Sequence, residues 1–515
     1  MARSKRFTHG VVLGTVGQVI TMLSGLWLSP FLLHRLGPAG YGLWIVGAQL
    51  LVYLTLMDLG VVAMLPREVA LVRVRPGVAH ELPELVARTM RIVLLQTPVV
   101  GLAALLLWLF IPQSWSNVRD PIGLAAIAFC LLFPARLFRA VVDGMQDLAF
   151  SNWSYLCAWF VGLAVNVSLV QDGFGLCALP LGWAANQLVD AAVSVTRLRA
   201  RHPQAWPRTW SIPPNSGIAK QFSRGLWVSV SQIAQVLIYG TDSAVIGRLF
   251  GAAAVVPYNC TGKLTSALQN QPQHIMRAAM PGLTEMRVGA SREKLAAVTG
   301  ALSLAMLCAS GMVTTVTLAV NPGFVRWWVG GAYYGGALLT VLFALSMLLR
   351  HWNITAIFAL FAFKQERLLA ITSLTDGFLS TILSILFAWL LHSPIGVVLG
   401  SIVSTCCVLF FGNGRRLARE LGIGVFELGR PLAGWFWRMV LAGCAACLLG
   451  KLFPQPGPLQ LALMGAGVVA VYLLLMFPVV MKSSLRPYLE PYFQRVRAFG
   501  RHPRLALSRS GGSSF

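Results

Sequence analysis

Asn259, Lys263, Ser266, Asn270, His274 and Arg277 follow one another at intervals of 4, 3, 4, 4 and 3 residues, which places all six on one face of an α-helix. The stretch that carries them, 254–276, has the length of a membrane span, although it is polar enough for hydropathy alone to miss it. A polar face of that length cannot point at lipid. It reads either as hydrogen-bonding glue between helices or as the wall of a water-filled cavity. Glue, at about 0.6 kcal/mol per interhelical bond, accounts for an Asn or a Ser. It accounts poorly for Lys263 and Arg277, because a charge at mid-bilayer costs at least ~2.5–3.5 kcal/mol unless hydrated or paired. The chemistry such a face can do is binding: a cation for an anionic group, amides and hydroxyls for a hydroxylated one.

Similar stripes recur. Gln232, Gln235, Tyr239 and Asp242 share a face in the span 225–247, and Ser346, Arg350 and Asn353 share one in 336–361. The first half of the chain contributes Gln18, Gln49, Tyr53 and Asp58, with Asn186 and Asp190 further on. Each ionisable member has a structural alternative. Asp242 is the nearest intramembrane acid in sequence to Lys263 and could pair with it. Arg350 could pair with Asp376 or snorkel, and Asp58 could make a contact at a helix end. Asp58, Asp242 and Asp190 are the candidates for ion coupling or gating.

These faces need helices to hold them, and composition supplies helices of one kind. Of 515 residues, 57% are hydrophobic and 11% charged, where a soluble chain carries roughly 25% charged. Apolar runs near the ~20 residues that cross hydrocarbon recur from Val11 to Met481, about fourteen in all. They lie at 11–33, 41–65, 92–112, 122–140, 152–171, 174–195, 225–247, 254–276, 296–320, 336–361, 368–391, 395–412, 435–453 and 459–481. With fourteen spans, about 34 Lys and Arg fall on one side and about five on the other (Arg35, Arg119, Arg248, Arg326 and Lys451). The basic side holds both termini and is therefore cytoplasmic, as in a bacterial inner-membrane protein. The net charge of +24 follows the same loop-by-loop distribution. It points to anionic lipid headgroups and not to nucleic acid.

Several chemistries are excluded. The first apolar run is too long for a cleaved signal and lacks its cleavage site. Cys444 and Cys447 form a C-x-x-C, but mid-span, where small packing residues are expected. No histidine pair has zinc-ligand spacing, and there is no phosphate-binding loop, nucleophile elbow or H-E-x-x-H. No metal, cofactor or enzymatic activity is expected. The outer loops are too short for an extramembrane catalytic domain. The loop 196–224 is basic and proline-containing, a linker.

That linker separates two similar starts. Gly225-Leu-Trp-Val-Ser-Val-Ser-Gln232 parallels Gly10-Val-Val-Leu-Gly-Thr-Val-Gly-Gln18. Gln18 precedes Arg35-Leu-Gly-Pro-Ala-Gly-Tyr41 by 17 residues, and Gln232 precedes Arg248-Leu-Phe-Gly-Ala by 16. Both starts are on the cytoplasmic side, so the repeats are parallel. The expected organisation is a six-helix lobe at 1–195, the linker at 196–224 and a second six-helix lobe at 225–412. A basic loop at 413–434, a helix pair at 435–481 and a basic tail at 482–515 complete it.

Leu36-Gly-Pro-Ala-Gly-Tyr-Gly-Leu-Trp44, followed by Leu56-Met-Asp-Leu-Gly60, resembles the start of the polysaccharide-type flippases. These are lipid-linked oligosaccharide translocases of the multidrug/oligosaccharidyl-lipid/polysaccharide (MOP) exporter superfamily. The resemblance implies an all-α polytopic membrane protein whose two parallel lobes form a V-shaped transporter resembling multidrug extruders, plus the C-terminal helix pair. The cargo implied is a polyprenyl-diphosphate-linked oligosaccharide, carried from the cytoplasmic to the outer leaflet by alternating access of a central polar cavity. In that cavity Lys263 and Arg350 would offset the diphosphate charge. Asn259, Asn270, His274, Arg277, Gln232, Gln235, Tyr239 and Gln18 would line the path. A glycan polymerase and other assembly proteins are the implied partners. Two alternatives stay open: a cation-coupled drug or metabolite antiporter of the same fold, and a noncatalytic component of a polysaccharide assembly complex. Intramembrane acids, which a cationic cargo would need, are few here and accompanied by bases.

Overall fold

The computed structural model describes residues 2–55, 60–74, 81–111, 116–207, 229–230, 232–453, 456–483, 485–486 and 490. Asp58, residues 208–228 spanning most of the linker, and most of the 482–515 tail lie outside the described residues. Helices account for nearly everything described, and no strand occurs among the described residues. Among the described residues ten helices are long and apolar enough to cross a membrane, or eleven if a pair bent by 51°, Val118–Leu132 with Arg136–Gly144, is counted as one span. The chain is an all-α polytopic membrane protein.

Three places account for the difference from fourteen. The stretches 11–33 and 41–65 run together in one helical segment, α1 (Ala2–Thr55), but Gly37 breaks it with φ 72° and ψ 168°. The stretch 225–247 is described only in part and is interrupted at Gly240 and Thr241. The polar stretch 254–276 is interrupted between Leu268 and Gln273.

The chain forms two compact units: Met1–Asn259 with Ser373–Ser401, and Cys260–Thr372 with Ile402–Phe515. In the first unit α1 is followed by α2 (Val61–Val74), α3 (Glu81–Leu109), α4 (Ser116–Leu132), α5 (Arg136–Gly144), α6 (Leu148–Gln171) and α7 (Ala178–Arg201). Residues 232–239 are helical, then come α8 (Asp242–Phe250) and the start of α9 (Ala252–Leu268). Its core gathers Leu65 and Val69 of α2, Val86 and Val93 of α3, and Phe133, Leu137 and Val141 around the bend into α5. The unit's final part is most of α13 (Glu366–Leu391) and the start of α14 (Ile395–Cys407). Gly396-Val-Val-Leu-Gly400 seats α14 directly on the α13 backbone. A Cβ at Gly400 would collide with the Ser384 nitrogen, and Ser384 Oγ donates to the Val397 carbonyl at 2.9 Å. Small residues permit this approach where lipid offers no hydrophobic drive to associate helices.

The two turns headed by Arg-Leu share a backbone conformation. Gly37 has φ 72° and ψ 168°, and Gly251 has φ 86° and ψ 161°. Both values lie in a region that only glycine enters readily, which is why each turn carries one. The helix starts that follow touch: a Cβ at Gly42 would meet the Ala252 carbonyl oxygen.

The second unit contains the rest of α9, then α10 (Gln273–Gly289), the long α11 (Arg292–Trp328), α12 (Ala337–Ala362) and the start of α13. Ser291 caps α11 by accepting from the Lys294 amide at 3.3 Å. After α14 a π-helical turn, Val408–Asn413, leads into α15 (Gly414–Leu421). That turn places Asn413 to donate to Asn353 Oδ1 at 2.9 Å and to accept from Thr372 Oγ1 at 2.8 Å, all buried. The helix pair α16 (Ala433–Leu452) and α17 (Pro458–Lys482) packs on α11. There Trp435 Nε1 donates to Tyr472 Oη at 3.2 Å beside Gly311.

Candidate functional site

The polar stripe is carried by two helices, α9 and α10, joined by a break at 269–272. Proline makes the break. Pro272 has no N–H to offer the Leu268 carbonyl, which instead takes the Gln271 amide at 3.1 Å. Asn270 falls in the break, and His274 and Arg277 lie in the first turns of α10. All three are exposed, and their side chains make no hydrogen bond or ion pair among the described residues.

On α9 the faces divide cleanly. Val255, Val256, Tyr258, Thr261 and Thr265 are buried; Asn259 and Lys263 are half-buried, and Ser266 is exposed. The helix is held at two carbonyls. Asn321, buried in α11, donates to the Thr261 carbonyl at 3.0 Å and to Thr340 Oγ1 at 3.2 Å, while Thr261 Oγ1 accepts from the Gly335 amide at 2.7 Å. His351 of α12 donates from Nε2 to the Gln269 carbonyl at 2.8 Å. These contacts fix the rotation of α9, and Lys263 lies between them on the less buried side. Among the described residues the Lys263 side chain makes no ion pair or hydrogen bond.

The carboxylate nearest to it in sequence is otherwise engaged. Asp242 opens α8 and accepts from Tyr258 Oη at 2.7 Å. Asn259 donates to Ser243 Oγ at 3.0 Å and to the Val255 carbonyl at 3.1 Å, so its amide joins α8 to α9. Gln232 is half-buried, and its Oε1 is buried with no hydrogen-bond partner among the described residues. The same holds for Oε1 of Gln49. Gln18, Gln235 and Tyr239 are exposed. Arg350 is half-buried and Asp376 buried, and neither is without a partner. Asn353 faces the protein interior on Asn413, so the spacing that grouped it with Arg350 does not give them a common solvent face.

Asp190 sits in an ion-pair cluster. Arg139 reaches it at 2.6 Å and Asp143 at 3.3 Å, and Ser154 donates to it at 3.0 Å. A second cluster lies at the end of α7, where Arg197 reaches Asp147 at 2.6 Å and His202 lies 3.7 Å from the same carboxylate oxygen. Burial holds the His202 imidazole below its ordinary range, outweighing the pull of Asp147 in the other direction. No group of three potential metal ligands occurs among the described residues, and Cys444 and Cys447 are free thiols on α16.

Sequence reasoning missed Thr261, Asn321, Ser310 and His351. The available signal was an imidazole and a carboxamide inside otherwise apolar spans, which by itself calls for a partner.

A family of polysaccharide biosynthesis proteins matches residues 7–287, more than half of the chain. The chain belongs to that family. No curated protein sequence matches it. In fold it is similar to the lipid II flippase MurJ in an inward closed conformation, with TM-score 0.64 and 12% identity over 91% of this chain and 100% of the other. It is also similar to an inward-facing multidrug resistance MATE family transporter of the MOP superfamily, with TM-score 0.61 and 13% identity over 79% and 98%. A third similar structure is a MOP-superfamily transporter from Pyrococcus furiosus described by the reverse polarity of its binding pocket, with TM-score 0.53 and 13% identity over 81% and 95%. At these identities the likeness is one of fold. The family member described here is therefore a polytopic membrane protein that shares its fold with those transporters.

Proposed function

We propose that the protein flips a polyprenyl-diphosphate-linked oligosaccharide from the cytoplasmic to the outer leaflet of a bacterial inner membrane, supplying surface or exopolysaccharide assembly. The observation that carries this reading is Lys263, an ammonium with no ion-pair partner among the described residues, on the less buried face of a broken membrane helix. A diphosphate entering the membrane needs a cation to offset lost hydration. Lysine supplies one as a mobile point charge, which releases more readily than a bidentate guanidinium. Ser266, Asn270 and His274 extend the same face with groups that hydrogen-bond sugar hydroxyls in many orientations. Arg350 would join Lys263 on the diphosphate, and the lipid tail would remain in hydrocarbon throughout.

The reading takes fourteen crossings, cytoplasmic termini and two parallel lobes working by alternating access. The matching glycine conformations at Gly37 and Gly251 support the duplicated starts. Asp58, Asp242 and Asp190 are the proposed coupling candidates, Asp242 in contact with Tyr258 and Asp190 with Arg139. Membrane lipids and a glycan polymerase are its proposed partners.

The test is reconstitution in proteoliposomes with a fluorescent diphosphate-linked oligosaccharide lipid, its outer-leaflet fraction read by quenching. The protein should accelerate flipping, and Lys263→Ala should abolish it. Export of a cationic drug with no effect on the lipid would replace this reading by the antiporter. No transport of either would favour a noncatalytic assembly component.

A further inference from the structure

His351 lies within the membrane helix α12 and is 2% exposed. Its ring is held on both sides. The Gln269 carbonyl can only accept, so Nε2 carries a proton and donates to it at 2.8 Å. In the neutral ring Nδ1 then accepts from Ser310 Oγ, 2.6 Å away on α11, and that hydroxyl also lies 2.7 Å from the Met306 carbonyl. The tautomer and the ring plane are thus set by two elements, α9's end and α11.

The bonded carbonyl is not an ordinary one. Gln269 begins the break, and no backbone N–H among the described residues donates to its oxygen; His351 is its donor. In an intact helix the amide four residues on would bond it, but the chain departs from the helix at Leu268 and restarts at Gln273. A half-buried carbonyl inside a membrane protein needs a donor, and the imidazole supplies one from a fixed position.

We propose that His351 is a positioning residue: its Nε2–H bond to the Gln269 carbonyl holds the α9–α10 break at one geometry. It thereby sets where Asn270, His274 and Arg277 stand relative to Lys263. This rests on the reading of that face as the cargo path. Asn321 clamps α9 at the Thr261 carbonyl, seven residues before the helix ends at Leu268, and Lys263 lies two residues past that clamp and five before the end. Lys263 therefore belongs to the clamped segment, and the residues beyond Gln269 lead into α10, which Met276 and Leu283 anchor in the core, while the His351 bond is the side-chain hydrogen bond that holds the break itself among the described residues. A helix broken at one point pivots there, and one hydrogen bond is a restraint that transport can release and remake.

The test uses the full chain in lipid nanodiscs, with amide exchange over 264–276 read by mass spectrometry and flipping read in proteoliposomes. His351→Phe keeps an aromatic ring of similar size and removes the donor. His351→Gln restores an N–H near the Nε2 position. Exchange at Gln269–His274 should rise about tenfold in the Phe variant, the scale of losing one buried hydrogen bond. Exchange in 292–328 should stay unchanged, and flipping should fall by a similar factor. The Gln variant should recover both. Unchanged exchange at the break, or an increase shared equally by 292–328, would overturn the proposal, since a residue that merely packs the core would loosen α11 as well. Should the Phe variant fail to insert, Ser310→Ala, which frees the ring to rotate, should raise exchange at the same amides, and no rise there would equally overturn it. If the break responds as stated but wild-type protein flips no diphosphate-linked lipid, the positioning role stands and the cargo reading falls.

Discussion

Replacing Lys263 by methionine separates a transport role from a structural one, because the two predict opposite signs for stability. Methionine keeps the length and flexibility of the side chain and removes the charge. An ammonium at the centre of a membrane helix costs at least about 2.5–3.5 kcal/mol where nothing offsets it. Lys263 has no ion pair among the described residues and is half-buried, so part of that cost is relieved by hydration and part remains. Removing the charge should then stabilise the protein by about 1 kcal/mol. Thermal unfolding in detergent should shift upward by a few degrees at most. Transport should move the other way. A charge-assisted contact to a phosphate oxygen contributes about 1.5–3 kcal/mol, so its loss should slow flipping roughly ten- to hundred-fold at low cargo density. Lys263→Arg keeps the charge but grips bidentately, so turnover should fall while apparent affinity holds or tightens. A methionine variant that is less stable than wild type and flips normally would refute the reasoning, for it would make Lys263 a structural cation with a partner.

Asp190→Asn removes the carboxylate that Arg139 holds at 2.6 Å and should destabilise by about 1–3 kcal/mol in denaturant titrations, less than a fully buried pair because both side chains are partly exposed. Unchanged stability with lost ion dependence of transport would assign Asp190 to coupling instead. Gly400→Val drives a side chain into the α13 backbone and should cost about 1–3 kcal/mol or prevent folding, whereas Gly101→Ala, where a Cβ meets nothing within 4 Å, should be neutral or slightly stabilising. Burial lowers the His202 pKa in the folded state, so between that value and the ordinary one near 6.5 the unfolded chain binds more protons. The stabilisation is complete above about pH 6.5 and is lost as pH falls through the folded value. Thermal scans at pH 7.5 and 5.5 should therefore show a drop that is smaller in His202→Gln.

Local spacing made the polar stripe legible, and the repeated Arg-Leu made both turns legible, while the positive φ of Gly37 and Gly251 came from the structure. The break in the stripe was half-legible: Pro272 announces it, but the interval pattern runs through it undisturbed. The small-residue contact at Gly396 and Gly400 was written in the chain as a G-x-x-x-G and becomes meaningful once α13 is seen beneath it. His351 could not be assigned, because its acceptor is a backbone oxygen 82 residues away that lacks a donor only when α9 stops where it does.

The amino-acid sequence by itself determined that the chain spans a membrane many times and which polar side chains it commits to that environment. Hydropathy and helical periodicity are local properties, read within about twenty residues. Tertiary structure alone decided which of those groups are already satisfied. Asp190 meets Arg139 across 51 residues and Asp242 meets Tyr258 across 16, while Lys263, no less polar than either, has no ion pair among the described residues. Neutralisation is a pairwise matter between distant segments, so only the fold can show which charge is left for a cargo.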